Sequence, residues 1–144
     1  MKKLFLILLA TFSFLFVGCN YGNPYALDAS WTLLYVQSTS KNGNIIAYAP
    51  SNSALGVTYP NAAPLEMTCQ AEKGTLSLVD ATNRQTYEGK YKRTERTFHA
   101  AIYVITIAAQ TGTVVVSTST YNDRTDVPTM IMTVGDYVLH FSAA

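Results

Sequence analysis

Residues 65–72 set the pattern for most of this chain. Leu65, Met67, Cys69 and Ala71 alternate with Glu66, Thr68, Gln70 and Glu72. A period of two is the mark of a strand with one face in a core and one in water. Lys73-Gly74 supplies a turn, and residues 75–80 continue with Leu76 and Leu78 on the inner side. After a second turn at 81–84, residues 85–92 put Tyr87, Gly89 and Tyr91 on one face and Thr86, Glu88, Lys90 and Lys92 on the other. Gly89 inside that run predicts a bend or bulge, as a curling sheet needs. Residues 93–96 form a charged turn.

Residues 97–108 predict a long strand, apolar on both faces, with Phe98, Ala100, Ile102 and Val104 opposing Ala101, Tyr103, Ile105 and Ile107. Gln110-Thr111-Gly112 is the expected turn after it. Further strands are expected at 114–121, at 129–134 through Met130 and Met132, and at 137–142 through Tyr137, Leu139 and Phe141, with a polar loop at 122–128. The first strand is expected at 30–37, with Trp31, Leu33 and Tyr35 on one face. Residues 38–64, rich in Ser, Asn, Gly, Ala and Pro, hold two short apolar pieces at 45–49 and 55–59 that read equally as edge strands or as a lid. No amphipathic helix is evident among these runs, and turns recur at hairpin spacing. The pattern predicts an all-β fold: an antiparallel meander of about eight strands closing into a small barrel, which removes exposed edges. A β-sandwich is the second choice.

The amino-terminal stretch differs. Lys2 and Lys3 precede an apolar run from Leu4 to Val17, the layout of an export signal. Phe16-Val17-Gly18-Cys19 follows, with Asn20 after it. The segment resembles the lipobox of bacterial lipoproteins. The resemblance implies removal of residues 1–18, acylation of Cys19, a tether over 19–29 and a β domain over 30–144. It also implies a lipid-anchored location in the cell envelope. In a Gram-negative cell, Asn20 implies the outer membrane; in a Gram-positive cell the chain would sit outside the plasma membrane.

Composition narrows the partners. Loss of Lys2 and Lys3 with the signal leaves eight basic against nine acidic residues, a formal charge of −1. That offers no field for nucleic acid. Ten tyrosines and only 13% charged residues fit β structure. With Cys19 acylated, Cys69 is the remaining thiol and reads as a buried apolar residue; without acylation a Cys19–Cys69 bridge is open.

Catalytic signals are sparse. His99 and His140 stand apart, with no carboxylate or second ligand at metal spacing beside either. No nucleophile elbow, phosphate loop or cofactor motif occurs. The expectation is therefore no enzyme, no metal and no cofactor. Lys90, Lys92, Arg93 and Arg96 form the basic cluster, read either as a contact for anionic headgroups or an acidic partner, or as a solvated hairpin tip.

As an architecture, residues 30–141 resemble the lipocalin-like small lipoproteins of bacteria. The resemblance is carried by Trp31 early in the first strand, the 65–80 hairpin, the Tyr87-to-Tyr91 strand and the closing Tyr137-to-Phe141 strand. Lipocalins carry Gly two places before that tryptophan, where this chain has Ala29. The resemblance implies a ligand-binding barrel, with Trp31, Met67, Tyr87, Tyr91 and Tyr103 as candidate cavity or binding-face residues. The expected function is binding of a small apolar or amphipathic ligand, with residues 38–64 covering the mouth. The alternative is an envelope-protein inhibitor or scaffold with a solid core, and a third reading is an envelope enzyme.

Overall fold

The computed structural model describes residues 25–121 and 124–143. Ten strands run in chain order: β1 (Ala29–Ser38), β2 (Asn44–Tyr48), β3 (Ala63–Pro64), β4 (Met67–Glu72), β5 (Thr75–Asp80), β6 (Gln85–Arg96), β7 (Ala100–Ile107), β8 (Gln110–Tyr121), β9 (Arg124–Val134) and β10 (Tyr137–Ala143). One helical turn, α1 (Ala54–Thr58), lies between β2 and β3.

Strands β4 to β10 pair with their neighbours in sequence, and β1 joins β4 on one side and β10 on the other. The eight strands β1 and β4–β10 therefore close a barrel, as the alternation predicts; β2 and β3 are additional. The antiparallel register keeps like faces together. Trp31 sits across from Cys69, Leu78 from Tyr87, Tyr91 from Ile105, Val114 from Met132, and Met130 from Phe141. Every one of these side chains points inward, and most are fully buried.

Closure requires strands to coil, and glycines mark where. A Cβ at Gly89 would lie 2.3 Å from the Thr106 carbonyl oxygen, and one at Gly112 would lie 2.3 Å from that of Thr133. Only a bare backbone permits such crowding between adjacent strands. The bulge in β6 falls further on, between Arg93 and Glu95.

Six local expectations are corrected. Residues 93–96, expected as a charged turn, continue β6 in register with β7 to Arg96. The register of β1 shifts between Leu33 and Tyr35, so Val36 and Ser38 follow Leu33 inward and Tyr35 turns out of the core. Gln110 to Gly112 is strand; the β7–β8 turn is Ala108-Ala109, both with positive φ. β7 starts at Ala100, which leaves Phe98 at a hairpin tip, 93% exposed. Strand β9 starts at Arg124 within the expected 122–128 loop, while residues 122 and 123 lie outside the described residues. Of the two apolar pieces in 38–64, the first is strand β2 and the second is mostly α1.

The expected tether also differs from its middle onward. Leu27 is buried, and residues 25–28 are tied across one end of the barrel. The signal and Cys19 fall outside the described residues.

Candidate functional site

The two ends of the barrel are built from different materials. At the end where the chain enters, Leu27 and Trp31 fill the interior, each 1% exposed. The Trp31 indole nitrogen donates to the Leu27 carbonyl at 2.9 Å. The Tyr103 hydroxyl donates to the Tyr25 carbonyl at 3.0 Å and accepts from the Leu27 amide at 3.1 Å. Tyr91 meets Tyr103 edge-on, with ring centroids 5.8 Å apart, and its hydroxyl donates to Asp28. The other Asp28 oxygen accepts from the Lys73 amide at 3.3 Å. Burial and that carboxylate push the Tyr91 phenol well above its ordinary pKa. This end is plugged, and each buried side-chain nitrogen or oxygen in the plug has a partner.

Above the plug the barrel is solid. Leu33, Cys69, Ile105, Val114, Val116, Met130 and Phe141 meet with at most 1% exposure. Cys69 has no exposure at all, and burial pushes its thiol up to about 12, the opposite of what a reactive thiolate needs.

At the far end the packing stops short. A cup of about 460 Å³ opens there, walled by Met67, Leu78, Tyr87, Ile107, Met132 and Leu139 from six barrel strands. The volume lies within the roughly 300–1,000 Å³ typical of small-molecule sites. Its wall is completed from outside the meander. Strand β1 pairs with β4 only over Ala29 to Thr32 and with β2 over Tyr35 to Ser38, so β2 takes over where β4 has ended. Ile46, Ala47 and Leu65 then contribute to the lining. Tyr137, 53% exposed, stands at the rim.

Polar groups enter the cup at one place. Asp80 is only 5% exposed, and its carboxylate accepts from the Asn83 amide at 2.9 Å and from the Asn83 side chain at 2.8 Å. Gln110 lies across the mouth. Ala108, also on the lining, begins the two-residue turn in which both alanines hold left-handed backbone, φ 50° and 61°. A residue with a Cβ disfavours that region by roughly 1–2 kcal/mol, and such strain gathers at functional sites.

Of the candidate cavity residues, Met67 and Tyr87 are in the cup wall, while Trp31, Tyr91 and Tyr103 belong to the plug. Of the segment 38–64 expected as a lid, Ile46 and Ala47 line the cup wall. α1 rests on the outer wall, where Leu55 borders a groove of about 650 Å³ with Leu34, Tyr35, Ile131 and His140. His140 stacks on Tyr35 with centroids 4.2 Å apart, its Nε2 is 2.7 Å from the Gln37 side-chain oxygen, and burial lowers its pKa. His99 is exposed at the β6–β7 tip. Among the described residues no three His, Cys, Asp or Glu side chains gather as a metal site.

The basic cluster is split by the strand it rides on. Lys90 and Lys92 alternate outward from Tyr91, whereas Arg93 and Arg96 sit opposite Tyr103 and Ala101, whose side chains point inward. All four are exposed, on the part of the molecule nearest the plug. Sequence reasoning placed Leu65 on an inward face but missed Ile46, Ala47, Ala108 and the pair Asp80–Asn83. The inward phase of Leu76 and Leu78, carried one step further, points to Asp80.

Comparison with protein-family models, curated proteins and solved structures gives no match. No helix among the described residues is long and apolar enough to cross a membrane.

Proposed function

We propose that this protein is a membrane-anchored binding module whose open barrel end takes a small apolar or amphipathic molecule. The observation that carries the reading is the contrast in filling: the same barrel is packed solid at one end and stops short at the other, leaving an apolar cup with one buried carboxylate. A cup of this size accepts a hydrocarbon or aromatic body, and Asp80, Asn83 and Gln110 offer hydrogen bonds to a polar end. The anchor in this reading is the acyl group on Cys19. The chain enters at the plugged end, so the cup faces away from the bilayer. Cys19→Ser then leaves the barrel folded and abolishes acylation, which intact mass measurement of the amino-terminal peptide reads directly.

Titration with N-phenyl-1-naphthylamine, an apolar fluorophore, tests the cup. One saturable site per chain is expected. Val134 lines the cup and is only half-buried, so Val134→Trp fills free space rather than a packed core. That variant is expected to bind the probe at least tenfold more weakly, with an unfolding midpoint close to wild type. Probe binding that is absent, or undiminished by the tryptophan, contradicts the proposal.

A further inference from the structure

Phe98 is 93% exposed, the most exposed large apolar side chain among the described residues. It stands at the tip of the β6–β7 hairpin. Thr97 closes that tip: its amide donates to the Ala100 carbonyl at 2.8 Å, and its hydroxyl accepts from the Ala100 amide at 3.1 Å. These bonds close the turn, and the phenyl ring stands outside it. Residues 90–99 carry Lys90, Lys92, Arg93 and Arg96 against Glu95, a formal charge of +3 within ten residues.

The position of this tip is fixed by the strands. Strand β5 stops pairing with β6 at Thr75 opposite Lys90, whereas β6 continues with β7 to Arg96 opposite Ala101. The hairpin thus overhangs the barrel at the plugged end. Tyr103, which binds residue 25, lies five residues beyond Phe98, about 17 Å along the strand. Six residue-to-residue steps separate Cys19 from Tyr25, a span of about 20 Å when fully extended. A tether of that length from an anchor at Cys19 lets the overhanging tip reach the headgroups.

We infer that the β6–β7 tip is a second membrane contact. Phe98 enters the interfacial layer of an anionic bilayer, and Lys92, Arg93 and Arg96 meet its phosphates. An aromatic ring flanked by cations is suited to this boundary, because the ring leaves water while the charges stay at headgroup level. A single anchor leaves a domain free to tumble; a second contact fixes its orientation and points the cup outward. The inference rests on the anchored reading given above.

The test uses the full chain reconstituted into vesicles of phosphatidylcholine, with or without phosphatidylglycerol, and the reporter substitution Phe98→Trp. Trp31 is buried and supplies a constant background that wild type measures. In anionic vesicles the new tryptophan is expected to shift to the blue and to be quenched by brominated acyl chains. Each of Arg93→Gln and Arg96→Gln is expected to lower the docked-to-undocked ratio about fivefold, the equivalent of about 1 kcal/mol per cation. A tryptophan that stays in water overturns the inference. If the chain still floats with the vesicles, the anchor stands and only the tip contact is lost; if it does not float, both readings fall. Quenching that is equal in neutral vesicles, or indifferent to the arginines, overturns the role of the charges. A tip that binds an acidic protein in place of lipid shows itself as no quenching together with arginine-dependent capture.

Discussion

The plugged and open ends of this barrel use the same strands and the same alternation, yet one is finished and the other is not. At the plug, a tryptophan, two tyrosines and the chain's own entry segment fill the bore, and each side-chain nitrogen or oxygen they bury is satisfied. At the cup, side chains of similar size line a space they do not fill, the wall is patched by β2, and the β7–β8 turn is made of two alanines in a conformation that suits glycine or asparagine. The lesson is that packing is uneven along the barrel axis, and the proposed binding falls at the end that is left unfilled. The plug and the middle layer hold the fold, which leaves the mouth free to stay open.

The sharpest way to break this contrast is to truncate one residue from each end. Trp31→Ala removes a fully buried ring and its hydrogen bond, and is expected to destabilise by about 3–5 kcal/mol, at the upper range for core truncations. Leu139→Ala removes a side chain that already borders open space, with an expected loss of about 2 kcal/mol or less. Urea unfolding of the two variants checks the ordering. Equal losses would mean the cup end is as tightly packed as the plug.

A gain is expected from the strained turn. Replacing Ala108 by Asn and Ala109 by Gly installs the residues that a two-residue turn with positive φ prefers. The pair of changes is expected to raise stability by about 1–2 kcal/mol. If the strain serves the mouth of the cup, probe affinity changes at the same time; a gain in stability with unchanged binding would mark the turn as structural alone.

The effects of pH lie in the middle and outer wall rather than in the cup, and near neutrality they are the smallest. The Cys69 thiol is raised from 9.0 to about 12 by burial. Above pH 9 the unfolded chain releases this proton first, so the contribution is fully present below 9 and is lost as pH rises toward 12. His140 is shifted the other way, below 6.5, because burial disfavours its charged form. Below pH 6.5 the unfolded chain takes up the proton first, so stability falls as pH falls. The two together place the most stable window between about 6.5 and 9. His140→Gln is expected to flatten the acid side of a midpoint-versus-pH curve, and Cys69→Ala the alkaline side.

How much of this was legible in the chain follows from what the signals measure. Alternation reports which face is buried, and it located β4, β5, β6 and β10 and the inward phase of Met67, Tyr87 and Leu139. It does not report how far the interior is filled, so plug residues and cup residues looked alike: Trp31 and Tyr103 read as cavity lining for the same reason as Met67. The shift at Leu34 inverted the expected phase of Tyr35 because a bulge leaves no composition mark. The Ala108-Ala109 turn was missed because it lacks the glycine that usually announces such a turn. Phe98 was assigned to a wall because an aromatic residue at a strand end has the same pattern whether it is the last inward residue or the first of a tip. Residues 25–28 looked like tether because their burial depends on hydroxyls 60 to 80 positions away.

Three methionine methyl groups report directly on whether the cup is where binding occurs. Met67 and Met132 line the cup, whereas Met130 is not in its lining and packs in the solid layer below it. With the methyl groups carbon-13 labelled, titration with N-phenyl-1-naphthylamine should move the Met67 and Met132 resonances along one saturating curve and leave Met130 nearly fixed. Shifts confined to Met130, or no shifts in any of the three while the probe still binds, would place the ligand elsewhere and contradict the account.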